Sequence, residues 1–289
     1  MINLDEYERK SELLELSLGP FKMFVSKEEV YVYYATYVAG EYDSLHLTEG
    51  DIVLDAGANI GDFTIMAAKK VGHGGRVISI EPSSRFFSIL KKNVLLNHLD
   101  NVSLVEAALS DTIGFAFLEG DGVSAKTVTA SDMVAQRVRV TTIEEVMKEL
   151  DLTRIDIIKM DIEGSEYKAL HGLAFLNNVR EIVIELHGPD NISTVRRLLE
   201  ETGFDLIDFS LLNLFSRALK NVLFHLPSIL NAERITGFVA LRGVIDIIFK
   251  KRNPVPSLAR KEEIQIVYGC RKKRSSWQNG SSIAFDRHE

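Results

Sequence analysis

The chain has 289 residues, 46% apolar and 26% charged, a mixture that can bury a sizeable core in about one or two domains. Lys and Arg number 34 against 41 Asp and Glu, and the formal charge of −7 argues against a nucleic-acid partner. Cys270 is the single cysteine, so a disulfide framework and a cysteine-rich zinc site are excluded.

Residues 1–19 read as a short charged helix without the apolar run of a signal peptide, which points to the cytoplasm. No stretch reaches the roughly 18 apolar residues of a membrane span. Residues 21–38, FKMFVSKEEVYVYYATYV, are rich in Phe, Tyr and Val around a polar break at 26–29 and predict a β-hairpin. Residues 1–49 are therefore expected to form an N-terminal cap.

From residue 51 short apolar strands alternate with amphipathic segments. Strands are expected at 52–54, 77–80, 102–105, 155–160, 182–186 and 204–209. Helices are expected at 60–71, 83–96, 142–150, 164–173 and 192–202, and irregular β structure or a flap at 107–141. Such alternation implies a parallel sheet covered by helices on both faces, spanning a core at 50–209. Residues 210–262 read as a helical insertion, 263–274 as the last strand of the core, and 275–289 as a disordered tail.

Sheets of this kind bind ligands at the carboxyl ends of their strands. Here those ends carry Asp55, Glu81, Glu106, Asp161, and then Glu185 with His187. Asp55-Ala56-Gly57-Ala58-Asn59-Ile60-Gly61 follows a strand and opens a helix, with Gly57 and Gly61 allowing tight backbone geometry. The spacing is not the G-x-G-x-x-G of dinucleotide enzymes. Asp55 would repel a pyrophosphate but suits S-adenosylmethionine, which carries an ammonium and a sulfonium. Glu81, 26 residues on at the next strand end, has two oxygens for two ribose hydroxyls.

These segments, with Ala107-Ala108-Leu109-Ser110-Asp111 and Ile158-Lys159-Met160-Asp161-Ile162-Glu163-Gly164-Ser165-Glu166, resemble the FkbM-type methyltransferase family over about residues 40–210. The resemblance implies an α/β class I methyltransferase fold, Rossmann-like, with a mostly parallel seven-stranded sheet. It also implies S-adenosylmethionine as donor and O-methylation of a hydroxyl on a sugar, glycolipid or secondary metabolite. The cofactor-binding set is then Asp55, Gly57, Asn59, Gly61, Glu81 and Ala107.

Methyl transfer to an alcohol needs alignment and removal of a proton. His187 has the intrinsic pKa of a base at neutral pH and is followed by the turn Gly188-Pro189. Asp161 and Glu163 join it as catalytic candidates. Carboxylates such as Asp161, Glu163 and Glu185 suit a hard cation, but sequence separation does not show that they converge, and no metal is expected. The competing functions are an RNA methyltransferase, which the charge opposes, and a non-catalytic S-adenosylmethionine-binding module. Residues 210–262 carry apolar faces, and 242–274 hold ten Lys and Arg against three Asp and Glu. That pattern raises the expectation of a homodimer or of a peripheral contact with an anionic membrane.

Overall fold

A computed structural model describes residues 13–27, 29–37, 40–119, 126–128, 136–172, 174–208 and 264–271. The described residues open on a hairpin of β1 (Leu14–Leu18) and β2 (Phe21–Val25), followed by the helix α1 (Val30–Tyr37). The expected helix at 1–19 lies outside the described residues up to residue 12, and its remainder is strand; the expected hairpin at 21–38 is a strand followed by a helix. The turn is at Gly19-Pro20, and the polar break at 26–29 starts a helix. Ser26 and Glu29 hydrogen-bond through their side chains just ahead of it. Val30, Tyr33, Tyr34 and Tyr37 then fall on one buried helical face.

Next come β3 (Ile52–Ala56), α2 (Asp62–Val71), β4 (Arg76–Ile80), α3 (Ser84–Leu96) and β5 (Val102–Val105). The region expected to be irregular holds β6 (Ala108–Leu109), β7 (Gly114–Glu119), β8 (Lys126–Val128) and β9 (Gln136–Thr141), which pair as a separate four-stranded sheet. Helix α4 (Ile143–Glu149) is capped by Thr142, whose hydroxyl accepts the Glu145 N–H at 3.1 Å. Then follow β10 (Ile157–Met160), the short α5 (Glu166–Leu170), β11 (Glu181–His187), α6 (Pro189–Glu201), β12 (Phe204–Asp208) and β13 (Ile264–Arg271). The expected insertion at 210–262 and tail at 275–289 lie outside the described residues.

The main sheet has seven strands in the order β12-β13-β11-β10-β3-β4-β5. β13 runs antiparallel to both of its neighbours, and the other pairings are parallel. This is the expected α/β architecture. Growth of the sheet reverses between β3 and β10, the switch point where such sheets open a crevice. Side chains alternate across it with a period of two. Val53, Val77 and Ile157 pack into one core together with the cap residues Leu16, Met23, Tyr33 and Tyr37. Leu54, Ile78 and Ile158 pack into the other, against α4, α5 and α6. The described part of the cap thus shares the core of the sheet.

Asn93 of α3 ties the hairpin to the glycine turn. It is fully buried; its amide donates to the carbonyls of Phe24 (3.0 Å) and Ile60 (2.8 Å), and its oxygen accepts the Phe24 N–H (2.6 Å). Apolar truncation strands all three backbone groups in the core. Asn93→Ala is expected to lower unfolding free energy by at least about 2 kcal/mol, read from denaturant midpoints. An unchanged midpoint would refute this account of how the cap is held.

Candidate active site

The glycine turn lies where β3 gives way to α2, and its geometry leaves no freedom. Gly57 has φ +74°, and a Cβ there would come within 1.8 Å of the Asp161 carbonyl oxygen, so only glycine lets the turn sit against the end of β10. Gly61 has φ +92°, and a Cβ would meet Leu90 Cδ1 at 2.5 Å. It brings α2 onto α3 and does not line the cleft. Asn59 is left-handed at φ +50°, a conformation Asn tolerates better than most residues.

Beyond the turn a cleft opens at the carboxyl ends of β3, β4 and β10. It brings together Gly57, Asn59, Glu81, Ala107, Asp161 and Glu163, six of the residues singled out in the sequence. Ile80, Phe86, Leu109, Leu118 and Ile162 give it apolar walls suited to a flat aromatic ring. Glu81 accepts the backbone N–H of Asn59 (2.8 Å) on one oxygen and of Ser83 (2.9 Å) on the other. One lone pair per oxygen remains, the arrangement a ribose diol needs. The Asn59 side-chain oxygen is buried with no hydrogen-bond partner. These residues fit an adenosyl donor.

Asp55 is placed differently from the expectation of direct donor contact. Its side chain is fully buried beneath the turn, where it accepts the Thr64 hydroxyl at 2.6 Å and faces Lys159 Nζ at 3.3 Å. Lys159 itself donates to the Gly57 carbonyl at 2.6 Å. Burial opposes its charge, but Asp55, Asp161 and Asp62 outweigh burial and hold the ammonium above its ordinary pKa. Sequence reasoning missed Lys159; the signal was a lysine inside the apolar strand Ile157–Met160.

At the β10 and β11 ends His187 stands among carboxylates. Its Nδ1 meets Glu166 Oε1 at 3.1 Å, and its Nε2 lies 3.6 Å from Glu163, 3.6 Å from Glu185 and 3.9 Å from Asp161. Glu166 is fully buried, its oxygens also taking the Gly164 N–H (2.9 Å) and the Asn191 amide. Burial disfavours the imidazolium, but Glu166, Glu185, Asp161 and Glu163 prevail and raise the His187 pKa. Burial, then Glu185, raises that of Asp161 against the pull of Lys159 and His187. The fold therefore unites Asp161, Glu163 and His187, with ligand-capable atoms all within 4.8 Å of one another, a convergence invisible in the sequence. A smaller cavity behind Asp161 is lined by Glu41, Tyr42, Lys159, Glu185 and Ile266.

A sheet with one reversed strand, a glycine turn at its switch point and an acidic residue at the next strand end define a class I methyltransferase. Residues 55–206 match the Methyltransferase FkbM domain, and the chain belongs to that family. It is 26% identical over 232 residues to the methyltransferase sdnD of Sordaria araneosa, covering 68% of this chain and 89% of sdnD. It is 27% identical over 200 residues to the 31-O-demethyl-FK506 methyltransferase FkbM of Streptomyces tacrolimicus, covering 56% and 76%. It is 25% identical over 169 residues to the hexuronic acid methyltransferase AglP of Haloferax volcanii, covering 56% and 69%. Among the described residues no helix is long and apolar enough to cross a membrane.

Burial pushes the Glu81 carboxyl up to about 7, against the lowering pull of the Ser83 and Asn59 N–H groups and Lys159. The ionised form is the better acceptor for hydroxyls. Affinity for S-adenosylmethionine should therefore be full above pH 7 and decline as pH falls through about 7. Glu81→Ala should cost at least about 1.5–3 kcal/mol of binding by calorimetry. Wild-type affinity in that variant would remove Glu81 from the donor site.

Proposed function

We propose that this chain is an S-adenosylmethionine-dependent O-methyltransferase acting on a hydroxyl of a sugar, glycolipid or secondary metabolite. One observation carries the reading. Asp161 and Glu163 belong both to the wall of the donor-shaped cleft and to the cluster around His187. A reacting hydroxyl placed on that cluster is within reach of a methyl group presented from the cleft. Two relatives, named for 31-O-demethyl-FK506 and for a hexuronic acid, favour the same acceptor classes.

The donor supplies an electrophilic methyl group; the residues of the chain align the acceptor and take its proton. The Glu81 carboxylate and the Gly57 turn fix the donor end. At the other end, Glu166 on Nδ1 directs Nε2 of His187 toward Asp161 and Glu163. Nε2 thus faces the acceptor side, as an orienting carboxylate arranges it in hydrolase triads. A bound donor would supply the methyl group as its sulfur–methyl bond broke, and the cluster would take the proton of the hydroxyl.

Donor consumption over a panel of sugars, glycolipids and polyketide-like alcohols, with mass detection of the added methyl, tests the proposal. At least one alcohol should gain a methyl group, whereas turnover on RNA alone, or on nothing, would overturn the reading. With the acceptor in hand, His187→Ala should lower kcat by roughly 10²–10⁴ with donor affinity unchanged. An unchanged kcat would take His187 out of the mechanism.

A further inference from the structure

We propose that Asp161, Glu163 and His187 form a binding site for one divalent cation of the Mg²⁺ or Mn²⁺ type. The argument starts at Glu166, which is fully buried and held by the Gly164 N–H and the Asn191 amide. A carboxylate so held acts as acceptor, so Nδ1 of His187, 3.1 Å away, carries a proton. In the neutral ring this leaves the lone pair on Nε2. A carboxylate that fixes the outer nitrogen of a histidine while the inner one faces a group of oxygens is the usual support of a metal-ligating histidine.

On the inner side each acid stands beyond 3.5 Å from Nε2, within the spacing of ligands around one ion. Nε2 stands 3.6 Å from Glu163, 3.6 Å from Glu185 and 3.9 Å from Asp161. An imidazolium satisfied by these acids would close on one of them to about 2.7–3.2 Å. Ligands held at about 2.1–2.4 Å by one ion stand about 3.0–4.8 Å from each other. The atoms offered by Asp161, Glu163 and His187 all lie within 4.8 Å of one another. Asp161 Oδ1, moreover, is a buried oxygen that accepts no hydrogen bond.

Oxygen ligands with one imidazole suit Mn²⁺ and Mg²⁺ better than the thiolate-seeking metals. Glu185 stands beside the three as a further carboxylate. The site exists independently of the reaction. Its use in catalysis, which is to hold the acceptor oxygen and ease loss of its proton, rests on the methyl-transfer reading. A cation there takes the Nε2 lone pair, and His187 then orients the ion in place of accepting the proton.

Mn²⁺ titration of the purified full chain, without donor or acceptor, reads the site directly. The free-ion paramagnetic resonance signal and calorimetry both apply. One Mn²⁺ per chain should bind, and Asp161→Asn and Glu163→Gln should each weaken binding at least ~10-fold, a loss of the size seen even for outer-shell partners. Glu149→Gln, remote from the cluster, should bind as the wild type does. Both side chains are partly exposed, and circular dichroism checks the fold; a variant that unfolds is replaced by Glu163→Ala. Absence of binding at millimolar Mn²⁺, or equal binding in the variants and wild type, overturns the proposal. A chain that binds Mn²⁺ and methylates nothing loses only the methyl-transfer reading. One that methylates at full rate under chelation and binds no Mn²⁺ loses only the cation site.

Discussion

Asp55 and Lys159 are direct partners in the register of β3 and β10, and both point to the face of the sheet that carries the cap. Their ion pair lies at the one place where the sheet reverses its direction of growth. Lys159 also holds the Gly57 carbonyl, and Gly57 in turn touches the Asp161 backbone with no room for a Cβ. The end of one strand, the turn after the other and the first acid of the cluster are thus tied in one unit. A buried pair of this kind contributes little net stability, because desolvation offsets the attraction. Its effect is positional: remove Lys159 and the Asp55 carboxylate loses its counter-charge under the turn that shapes the cleft.

The same pair accounts for the charge layout of the site. The Asp55 carboxylate is neutralised by Lys159 beneath the turn, so it is no longer the acid that faces a ligand. Asp161, Glu163 and Glu185 remain on the open side, with His187 as the sole basic side chain among the described residues of the cluster. The surplus of negative charge favours a cationic occupant. A sulfonium approaching from the cleft meets an attractive field, and so does a metal ion. An incoming phosphate or nucleic-acid backbone meets repulsion, in keeping with the chain's formal charge of −7.

Much of the core was legible because its signals are local. Strand β3, the Gly57–Gly61 turn and Glu81 each announce themselves within a few residues, and all three fall where expected. The cap was misread for a physical reason: Tyr and Val favour strands on average, yet at 30, 33, 34 and 37 they keep a helical period, and the bonded Ser26 and Glu29 lie just before that helix. The small sheet around β7 and β9 was unreadable because its pairing is long-range. Two facts about the site needed coordinates. Asp55 turns inward because its register partner is a lysine, and His187 reaches Asp161 and Glu163 across the parallel neighbours β10 and β11, which no spacing encodes.

The two ends of the site are built from different parts of the chain. The donor end is made entirely by residues between Gly57 and Ser165, inside the stretch matched to the family. The cavity on the far side of Asp161 takes Glu41 and Tyr42 from the cap and Ile266 from β13, all outside the matched 55–206. Those outer elements are not loosely attached. Tyr37 donates to the Asp62 carbonyl at 2.7 Å and Thr36 to the Asp62 carboxylate, which fastens α1 to the first turn of α2 just after Gly61. The cap is therefore held in register with the glycine turn, so the outer wall of the site is joined rigidly to its donor end although the two come from different parts of the chain.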